Sequence, residues 1–529
     1  PVGISFADEM SRQGFSVLLL ESGGRRADRY VQELSDAEIV RPEIHDDMSI
    51  AVSRQLGGTS NLWGGLCVPL DPVDFIQRPG LVDAHWPISY EELLPYYDRA
   101  SWHTQSGAPV YELPIAGFEP SADDFSVHTL ERSANEQKSQ IIHRASLARS
   151  SKIDVRLHAT VVSLNFGDSG VVQSIDIVRP DGSQRTRVPV KNVVIAAGGL
   201  ESTRLLLEAQ RKKPDLFGGS DGPLGRYYMG HVIGDIAEIV FSDAKLSHAF
   251  GGFFVDDHGS YVRRRFVPNQ STQLRERILN SALFPIVPSV ANARHGSAIL
   301  STVYLALAFR PLSRLLIADA IRKRHIPSEL TDTSQHLLNI LTGLPQATLF
   351  SLDFLRRRYM TKARLPGFFV QSKDLRYRLA YHAEQVPEAE SRVTLSDEVD
   401  RTGLPKLRID LRFQNTDAWS LVRTHELLSD WLLKTGIGHL IWNDPPERRV
   451  AAVLAQAQHG THQIGTVRMG ASGSEGVVNR DLRAFDSPNL FVASAAVFPT
   501  SAQANPTLTA IALAMRLAHD WKKVAWCPQ

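Results

Sequence analysis

The chain has 529 residues, of which 43% are hydrophobic and 22% are charged, and its formal net charge is +1. This composition is typical of a globular protein rather than a disordered one, and the length favours two or more closely connected domains. The small net charge excludes a strongly basic chain of the kind that binds nucleic acid. Two cysteines, Cys67 and Cys527, are too few for a disulfide scaffold or an all-cysteine metal site.

The first residues show no charged leader followed by an apolar core, so we expect a cytoplasmic protein, with a periplasmic location as the alternative. The segment "GISFADEMSRQG" predicts a helix with one apolar face that ends at Gly14. The next segment, "FSVLLLESGG", predicts a buried strand that ends at Glu21 and two glycines. This order is typical of the second half of a dinucleotide-binding unit, although a generic helix–strand unit gives the same pattern.

In such a unit, Gly3 would be the last glycine of G-x-G-x-x-G and Glu21 would bind the ribose hydroxyls. The strand and the two glycines that should precede Gly3 are absent from the sequence. A central strand of a parallel sheet cannot be omitted without leaving its neighbours' backbone groups unpaired. We therefore expect that the chain is truncated at its start, or that its start is misassigned.

The remaining elements are predicted in chain order. They are a glycine-rich turn at 53–67, a helix at 86–100, an irregular region at 101–150, strands at 152–166 and 174–199, and a helix over "LESTRLLLEAQ". From about 237 to 440, long apolar helices and then alternating strands are typical of a substrate-binding domain inserted into a nucleotide-binding fold. A buried strand, "NLFVASAAVFP", and a helix, "NPTLTAIALAMRLAHDW", complete the chain.

The most apolar stretch, "AILSTVYLALAF", is shorter than the roughly 18 residues that span a bilayer, and it ends at Arg310. Two basic and apolar stretches follow it, "RPLSRLLIADAIRKRH" and "FLRRRYMTKARLPGF". Basic helices that cover an apolar core are the commoner interpretation. The alternative is that residues 301–365 contact a membrane or a partner subunit.

Two histidines lie three residues apart in "HGTHQIGTVRMG", at His459 and His462. A metal pair lacks an obvious third ligand and a nearby cysteine. A structural role in the core is the default for isolated histidines. A third hypothesis is proton removal from a substrate, because histidine titrates near neutral pH.

Four segments together resemble the glucose–methanol–choline (GMC) family of flavin oxidoreductases along nearly the whole chain. They are "GISFADEMSRQGFSVLLLESG", "GGTSNLWGG", "VVIAAGGLESTRLLL" with "LGRYYMGH", and "HQIGTVRMG" through "GVVNRDLRAFDSPNLFVASAAVFPTSAQANPTLTAIALAM". The ending "ANPTLTAIALAM" and the segment "AEQVPEAESRVTLSDEVDRTGLP" resemble the branch of pyranose oxidases and bacterial sugar and glycoside oxidoreductases.

The resemblance implies an α/β fold, with a Rossmann-like FAD-binding domain of discontinuous segments and an inserted α+β substrate-binding domain. The implied boundaries are 1–100, 151–236 and 441–529 for the FAD-binding domain, 101–150 for an irregular connection on the substrate side, and 237–440 for the substrate-binding domain. The first part would lack its first strand, and the last part would hold the catalytic histidine and asparagine.

The resemblance also implies roles for residues by position. His462 matches the catalytic base and Asn505 matches its partner. The implied cofactor-binding residues are Gly3, Glu21, Gly57, Gly58, Thr59, Ser60, Asn61, Trp63, Gly64, Val161, Ala197, Gly198, Glu201, Ala495, Ala496, Asn505 and Pro506. Glu201 would lie at the end of the cleft opposite Glu21.

Some relatives attach the flavin through a histidine where this chain has Leu62, so we expect non-covalent FAD. Gly230 replaces the family's usual acid. Residues 101–150 contain no cysteine, which gives no support to an iron–sulfur centre, and we predict no metal.

The implied reaction is oxidation of a secondary alcohol of a sugar or glycoside to a ketone, with His462 as base, hydride transfer to flavin N5, and oxygen or a quinone as electron acceptor. Alternatives are a dehydrogenase of a non-sugar alcohol (choline, aliphatic or sterol-like), a GMC-type lyase, or an inactive binding subunit. The sequence leaves oxidase and dehydrogenase activity equally open. Four aromatic residues could stack on a sugar or pack in the core: Trp63, Phe253, Phe254 and Trp442.

Overall fold

The computed structural model describes residues 1–119, 122–311, 313 and 332–525. Its helices are α1 (Val2–Arg12), α2 (Arg29–Gln32), α3 (Met48–Ala51), α4 (Tyr90–Thr104), α5 (Ser139–Ile142), α6 (Arg144–Arg149), α7 (Gly199–Lys212), α8 (Ala244–Phe250), α9 (Gln270–Glu276), α10 (Ala298–Ala308), α11 (Thr333–Thr342), α12 (Leu344–Tyr359), α13 (Asn415–Thr435), α14 (Arg449–Gln456) and α15 (Pro506–Val524). Cys527 and most of "RPLSRLLIADAIRKRH" lie outside the described residues.

The strands are β1 (Val17–Leu20), β2 (Ala37–Ile39), β3 (Leu66–Cys67), β4 (Phe125–Ser126), β5 (Leu130–Ser133), β6 (Ile153–Arg156), β7 (Thr160–Phe166), β8 (Val172–Val178), β9 (Thr186–Pro189), β10 (Val193–Ile195), β11 (Val232–Phe241), β12 (Phe254–Val255), β13 (Tyr261–Arg264), β14 (Val267–Pro268), β15 (Ser281–Ile286), β16 (Arg376–Ala383), β17 (Arg392–Val399), β18 (Pro405–Asp410), β19 (Gly438–Trp442) and β20 (Leu490–Val492). The predicted mixed α/β class is confirmed.

Two parallel strand pairs lie in the part of the fold that the sequence predicts to bind a nucleotide. β1 pairs with β6, and β10 pairs with β20. A cleft runs between the two pairs, because residues of both β1 and β10 line it. The helices α1 and α15 pack against each other, and α15 also packs on α4. The cofactor expected from the sequence would therefore lie between two parallel pairs.

The prediction that residues 17–20 form a buried strand is only half right. The strand forms, but its residues are half-buried and Leu18 is 42% exposed. The physical reason is that β1 borders the cleft on one side and so has fewer packing partners than a central strand. The prediction that residues 101–150 are irregular is also incomplete, since the region contains the end of α4, together with β4, β5, α5 and α6.

A second, antiparallel sheet lies in the part of the fold that the sequence predicts to bind the substrate. Its strand order is β15-β16-β11-β19, and α13 and α14 pack against it. A three-stranded sheet, β17-β18-β2, joins residues 392–410 to residues 37–39. The implied domain boundaries thus stay predictions, and the described contacts connect the two sides at several places.

The helices α10, α11 and α12 form a separate group around a small apolar core of Val290, Leu300 and Tyr304. In α12 the buried residue is Ala347, and many large apolar side chains of α11 and α12 are exposed. This arrangement differs from the expectation that the basic helices cover an apolar core. Among the described residues, no helix combines the length and the apolar character needed to cross a bilayer.

Candidate active site

The cleft between the parallel pairs has a volume of about 1000 Å³ and brings together most of the predicted cofactor-binding residues. Those that line it are Gly3, Glu21, Gly57, Gly58, Thr59, Val161, Ala197, Gly198, Glu201, Ala495 and Pro506. The volume is at the upper end of the range of small-molecule sites.

Other predicted residues lie behind the cleft wall and hold it in place. Ser60 Oγ donates a hydrogen bond to the Gly57 carbonyl at 2.6 Å, and Asn61 Nδ2 donates to the Gly58 carbonyl at 2.9 Å. Trp63 Nε1 donates to the Gln137 carbonyl at 2.7 Å. Ala496 is fully buried.

The carboxylate of Glu21 lies at the end of β1 and accepts a hydrogen bond from the Gly23 backbone N–H at 2.7 Å. Burial raises the pKa of this carboxyl group, although the Gly23 N–H and the charge of Arg54 act in the opposite direction. Arg54 also forms an ion pair with Glu201. The expectation that Glu201 lies at the opposite end of the cleft is therefore wrong, because Arg54 acts on both carboxylates.

These residues fit an FAD cofactor. The Glu21 carboxylate lines the cleft, where it would meet a ribose, and the first turn of α1 also lines it, where its backbone N–H groups would meet a diphosphate. Gly57 has φ of +92°, and a Cβ there would lie 1.8 Å from Gln140 Oε1. The positive φ favours glycine at this position of the cleft wall.

A cluster of four histidines lies at the junction of the two sides of the fold. His462 Nδ1 is 2.9 Å from His231 Nδ1, and the His231 ring stacks on His382 with centroids 4.2 Å apart. The His231 backbone N–H donates to His459 Nδ1 at 2.6 Å, and His459 Nε2 is 2.9 Å from Thr461 Oγ1. His459 is therefore held from both ring nitrogens, as expected for a structural histidine.

The hydrogen bonds of His231 determine which nitrogen of His462 carries a proton. His231 Nε2 lies 3.2 Å from the Ser501 carbonyl, which can only accept, so His231 Nε2 is the donor. Burial, followed by the neighbouring histidines, lowers the pKa of His231 well below its usual value, so the ring is neutral and its Nδ1 is an acceptor. His462 Nδ1 must then donate, and the lone pair of neutral His462 lies on Nε2.

Gly230 is required by the position of His459. A Cβ at residue 230 would lie 2.9 Å from both Cβ and Nδ1 of His459. The ring of His459 thus occupies the space next to the backbone where the family's acid would project. This contact gives a physical reason for the glycine.

Gly230→Ala should lower stability by about 1–3 kcal/mol and slow substrate-dependent flavin reduction at least about tenfold, because His459 would have to move and would displace the His231 backbone. Thermal unfolding and anaerobic stopped-flow measurements check both effects. Gly367→Ala is the matched control, since a Cβ there makes an ordinary 3.7 Å contact. Wild-type behaviour of Gly230→Ala, or no recovery of stability in Gly230→Ala/His459→Ala, would contradict the explanation.

Asn505 lies at the amino-terminal cap of α15, beside a buried ion pair. Its Nδ2 donates to the Glu131 Oε1 atom at 3.1 Å and to the Leu66 carbonyl at 3.3 Å. Because a carboxylate and a carbonyl only accept, the amide N–H groups are used inside the protein. Asn505 would then present its oxygen to a substrate hydroxyl, rather than an N–H to a developing alkoxide.

Sequence reasoning missed Glu131 and its partner. Glu131 pairs with Arg263, whose guanidinium lies 3.6 Å from the centre of the Phe284 ring. Burial would raise the pKa of Glu131, but the charges of Arg263 and Arg265 outweigh it and hold the pKa below its usual range. The ionised carboxylate thus lies in the polar cluster near His382, whose pKa burial lowers.

Three of the aromatic residues considered for sugar stacking face arginines instead, namely Phe253, Phe254 and Trp442. Arg449 lies 3.5 Å from the centre of the Trp442 ring, and Trp442 packs against the core beside β11. Arg263 lies 5.3 Å from the centre of the Phe253 ring. These contacts favour a packing role for Trp442 and leave Phe253 near the ion pair of Glu131.

Two groups of nitrogen and oxygen donors have a composition that metals can bind, and neither was found from sequence. They are His231 with His382 and His462, and Asp8 with His103 and His143. In the first group, His462 Nδ1 and His231 Nδ1 are 2.9 Å apart, a contact in which His462 donates a proton to His231. A metal would instead need a lone pair on each of the two nitrogens. The prediction of no metal remains a prediction.

Comparison with known proteins shows which proteins this chain is similar to. Residues 387–514 match the family model described as GMC oxidoreductase. The chain is similar to paromamine 6'-oxidase of Streptomyces fradiae, with 23% identity covering 97% of this chain and 88% of that protein. It is also similar to 2-methyl-1,2-propanediol dehydrogenase of Mycolicibacterium austroafricanum, with 25% identity covering 88% of this chain and 80% of that protein.

A shorter region, 25% of this chain, is 34% identical to 24% of C-glycoside 3-oxidase from Microbacterium trichothecenolyticum. The fold is similar to that of pyridoxine 4-oxidase from Mesorbium loti, with a TM-score of 0.56 and 15% identity over 99% of this chain and 97% of that one. The fold is also similar to that of an FAD-dependent oxidoreductase from Chaetomium thermophilum, with a TM-score of 0.54 and 14% identity over 99% of this chain and 97% of that one. Residues 387–514 thus match the GMC oxidoreductases, and over most of its length the chain is similar to proteins named as an oxidase and a dehydrogenase.

Proposed function

We propose that the protein oxidises a secondary alcohol of a sugar or glycoside to a ketone, with non-covalently bound FAD and with His462 as the base. The observation that carries the mechanism is the hydrogen-bond chain from the Ser501 carbonyl through His231 to His462 Nδ1. This hydrogen-bond chain supports the proposal, because it favours the tautomer of His462 whose lone pair is on Nε2, the form that a general base needs. Two similar proteins named as oxidases of paromamine and of C-glycosides support the substrate class.

FAD, when bound in the cleft, supplies the hydride acceptor. His462 Nε2 removes the hydroxyl proton of the substrate, and the imidazolium that results keeps its Nδ1–H directed at His231. Asn505, oriented by Glu131, accepts a hydrogen bond from a second group of the substrate. The polar cluster of Glu131, Arg263 and Arg265 would bind further hydroxyl groups, which suits a polyhydroxylated substrate better than an aliphatic one.

A non-sugar alcohol is the second candidate, favoured by the likeness to a propanediol dehydrogenase over most of the chain. Visible absorption of the purified protein, followed by anaerobic addition of sugars, glycosides and small diols, separates the two. Bleaching of the flavin bands by sugars or glycosides supports the proposal, whereas bleaching by diols alone supports the second candidate. Turnover without any electron acceptor would replace both with a lyase.

FAD should be released into the supernatant on acid precipitation, because Leu62 offers no atom for a covalent bond to the flavin. The absorbance of the supernatant measures the released fraction. Flavin that stays with the precipitated protein would show that another residue forms a covalent link.

Glu21→Ala should raise the dissociation constant of FAD at least about tenfold, because hydrogen bonds to a buried charged carboxylate contribute about 1.5–3 kcal/mol. FAD retention by the wild type should also fall as the pH falls, and it should do so above the usual range of a glutamate, since burial raises the pKa of Glu21. FAD titration followed by fluorescence checks both statements. Glu38→Ala, on an exposed edge strand, is the matched control; equal retention in both variants would refute the ribose assignment.

A further inference from the structure

The outer side of the helices α11 and α12 carries an unusual concentration of exposed large apolar side chains. We call this surface the apolar face, and its members are Leu337, Leu338, Leu341, Leu344, Leu349, Leu352, Leu355, Tyr359 and Met360. Leu341 is 73% exposed, Leu349 69% and Leu352 61%. Nine large apolar side chains at this level of exposure on two adjacent helices are uncommon on a monomeric protein and indicate a site of interaction.

The apolar face belongs to a well-anchored pair of helices. The inner side of α11 is held by Asn339 Nδ2, which donates to the Ala293 carbonyl at 2.9 Å, and by His336 Nδ1, which is 3.0 Å from Ser301 Oγ. In α12, the rings of Phe350 and Phe354 pack edge-on against Phe368. Within the described part of the chain, the exposed leucines therefore lie on the outer side of helices whose inner sides are packed.

Positive charge accompanies the apolar face. Residues 332–366 contain five basic residues and two acidic ones, in a chain with a formal net charge of +1. The basic residues Arg356, Arg357 and Arg358 lie in the last turn of α12, and Lys362 and Arg364 follow directly. Arg356 and Arg357 share the carboxylate of Asp353, yet their side chains are still 60% and 46% exposed.

We propose that the apolar face docks on the surface of an anionic phospholipid bilayer. The leucines would enter the boundary between headgroups and acyl chains, with α12, about 24 Å long, parallel to the membrane plane. The basic residues at the end of α12 would contact the phosphate groups of the lipids. A second copy of the chain fits less well, because a twofold contact uses the same patch on both copies and so brings no negatively charged surface to the basic residues.

Vesicle flotation tests the proposal on the full chain. We expect binding to phosphatidylcholine vesicles that contain about 30% phosphatidylglycerol, weaker binding at high ionic strength, and little binding to phosphatidylcholine alone. Leu349→Ser/Leu352→Ser should reduce the bound fraction at least about tenfold. Val399→Ser/Leu433→Ser, which removes two apolar side chains of similar exposure elsewhere, should bind as the wild type does.

A charge variant in the flotation experiment, and light scattering to measure the oligomeric state, decide the remaining outcomes. Arg357→Gln/Lys362→Gln should weaken binding to the anionic vesicles without changing the melting temperature, since both side chains are solvent-exposed. A wild-type protein that floats with neither kind of vesicle overturns the proposal. A dimer that the two-leucine variant converts to a monomer also overturns it, because the face would then be a contact between copies.

Discussion

His462→Ala should slow reduction of the flavin by substrate at least about 100-fold, since general-base catalysis by a positioned side chain contributes on the order of 10²–10⁴. FAD content should stay at the wild-type level, because His462 is not among the residues that line the cofactor cleft. Anaerobic stopped-flow absorbance gives the reduction rate, and the visible spectrum gives the FAD content.

The matched control is His248→Ala, which removes an exposed imidazole on α8. It should reduce the flavin at the wild-type rate. Near-normal reduction by His462→Ala would remove the histidine from the mechanism. Loss of FAD together with activity would instead indicate that His462 supports the cleft.

His231→Leu should lower the turnover number by on the order of 100-fold with little change in KM, because His462 would lose the acceptor that keeps its proton on Nδ1. A base held in the wrong tautomer is known to lose much of its activity even when the geometry is intact. His231→Asn should retain most of the turnover, since its amide oxygen can replace His231 Nδ1 as the acceptor.

The pair of variants separates positioning from packing. Asparagine and leucine are similar in size, and both remove the imidazole ring that stacks on His382. If the ring matters only for packing, the two variants lose activity equally and their melting temperatures fall together. Rescue by asparagine but not by leucine is the result expected of a residue that sets the tautomer of His462.

Much of what the sequence predicts about the fold and the site depends on motifs of contiguous residues. The helix α1, the strand β1 and Glu21 follow each other along the chain, so their order could be read directly, and the structure places them at one cleft. His462 lies in a glycine-rich segment with a recognisable pattern, and its role as base stays a prediction. Contiguous residues are positioned by the helix or turn in which they lie, which is why sequence periodicity is informative for them.

Residues brought together by strand pairing could not be predicted in this way. His382 lies opposite Ile233 because β11 and β16 pair in one register, and this places it beside His231. Glu131 and Arg263 are direct partners across β5 and β13. Such pairs depend on which of several registers forms, and no local pattern in one sequence determines that choice.

The register of the antiparallel sheet therefore has a consequence for catalysis. A slip of one residue would turn His382 to the other side of the sheet, and β11 already contains an irregularity between Asp235 and Ala237 that shifts its pairing with β16. The cleft that would hold the cofactor is bordered by one core, whereas His231 and His382, the neighbours of His462, lie next to or within strands that pack on another. Catalytic competence should thus be lost as soon as the antiparallel sheet melts, even while the cofactor cleft is still folded.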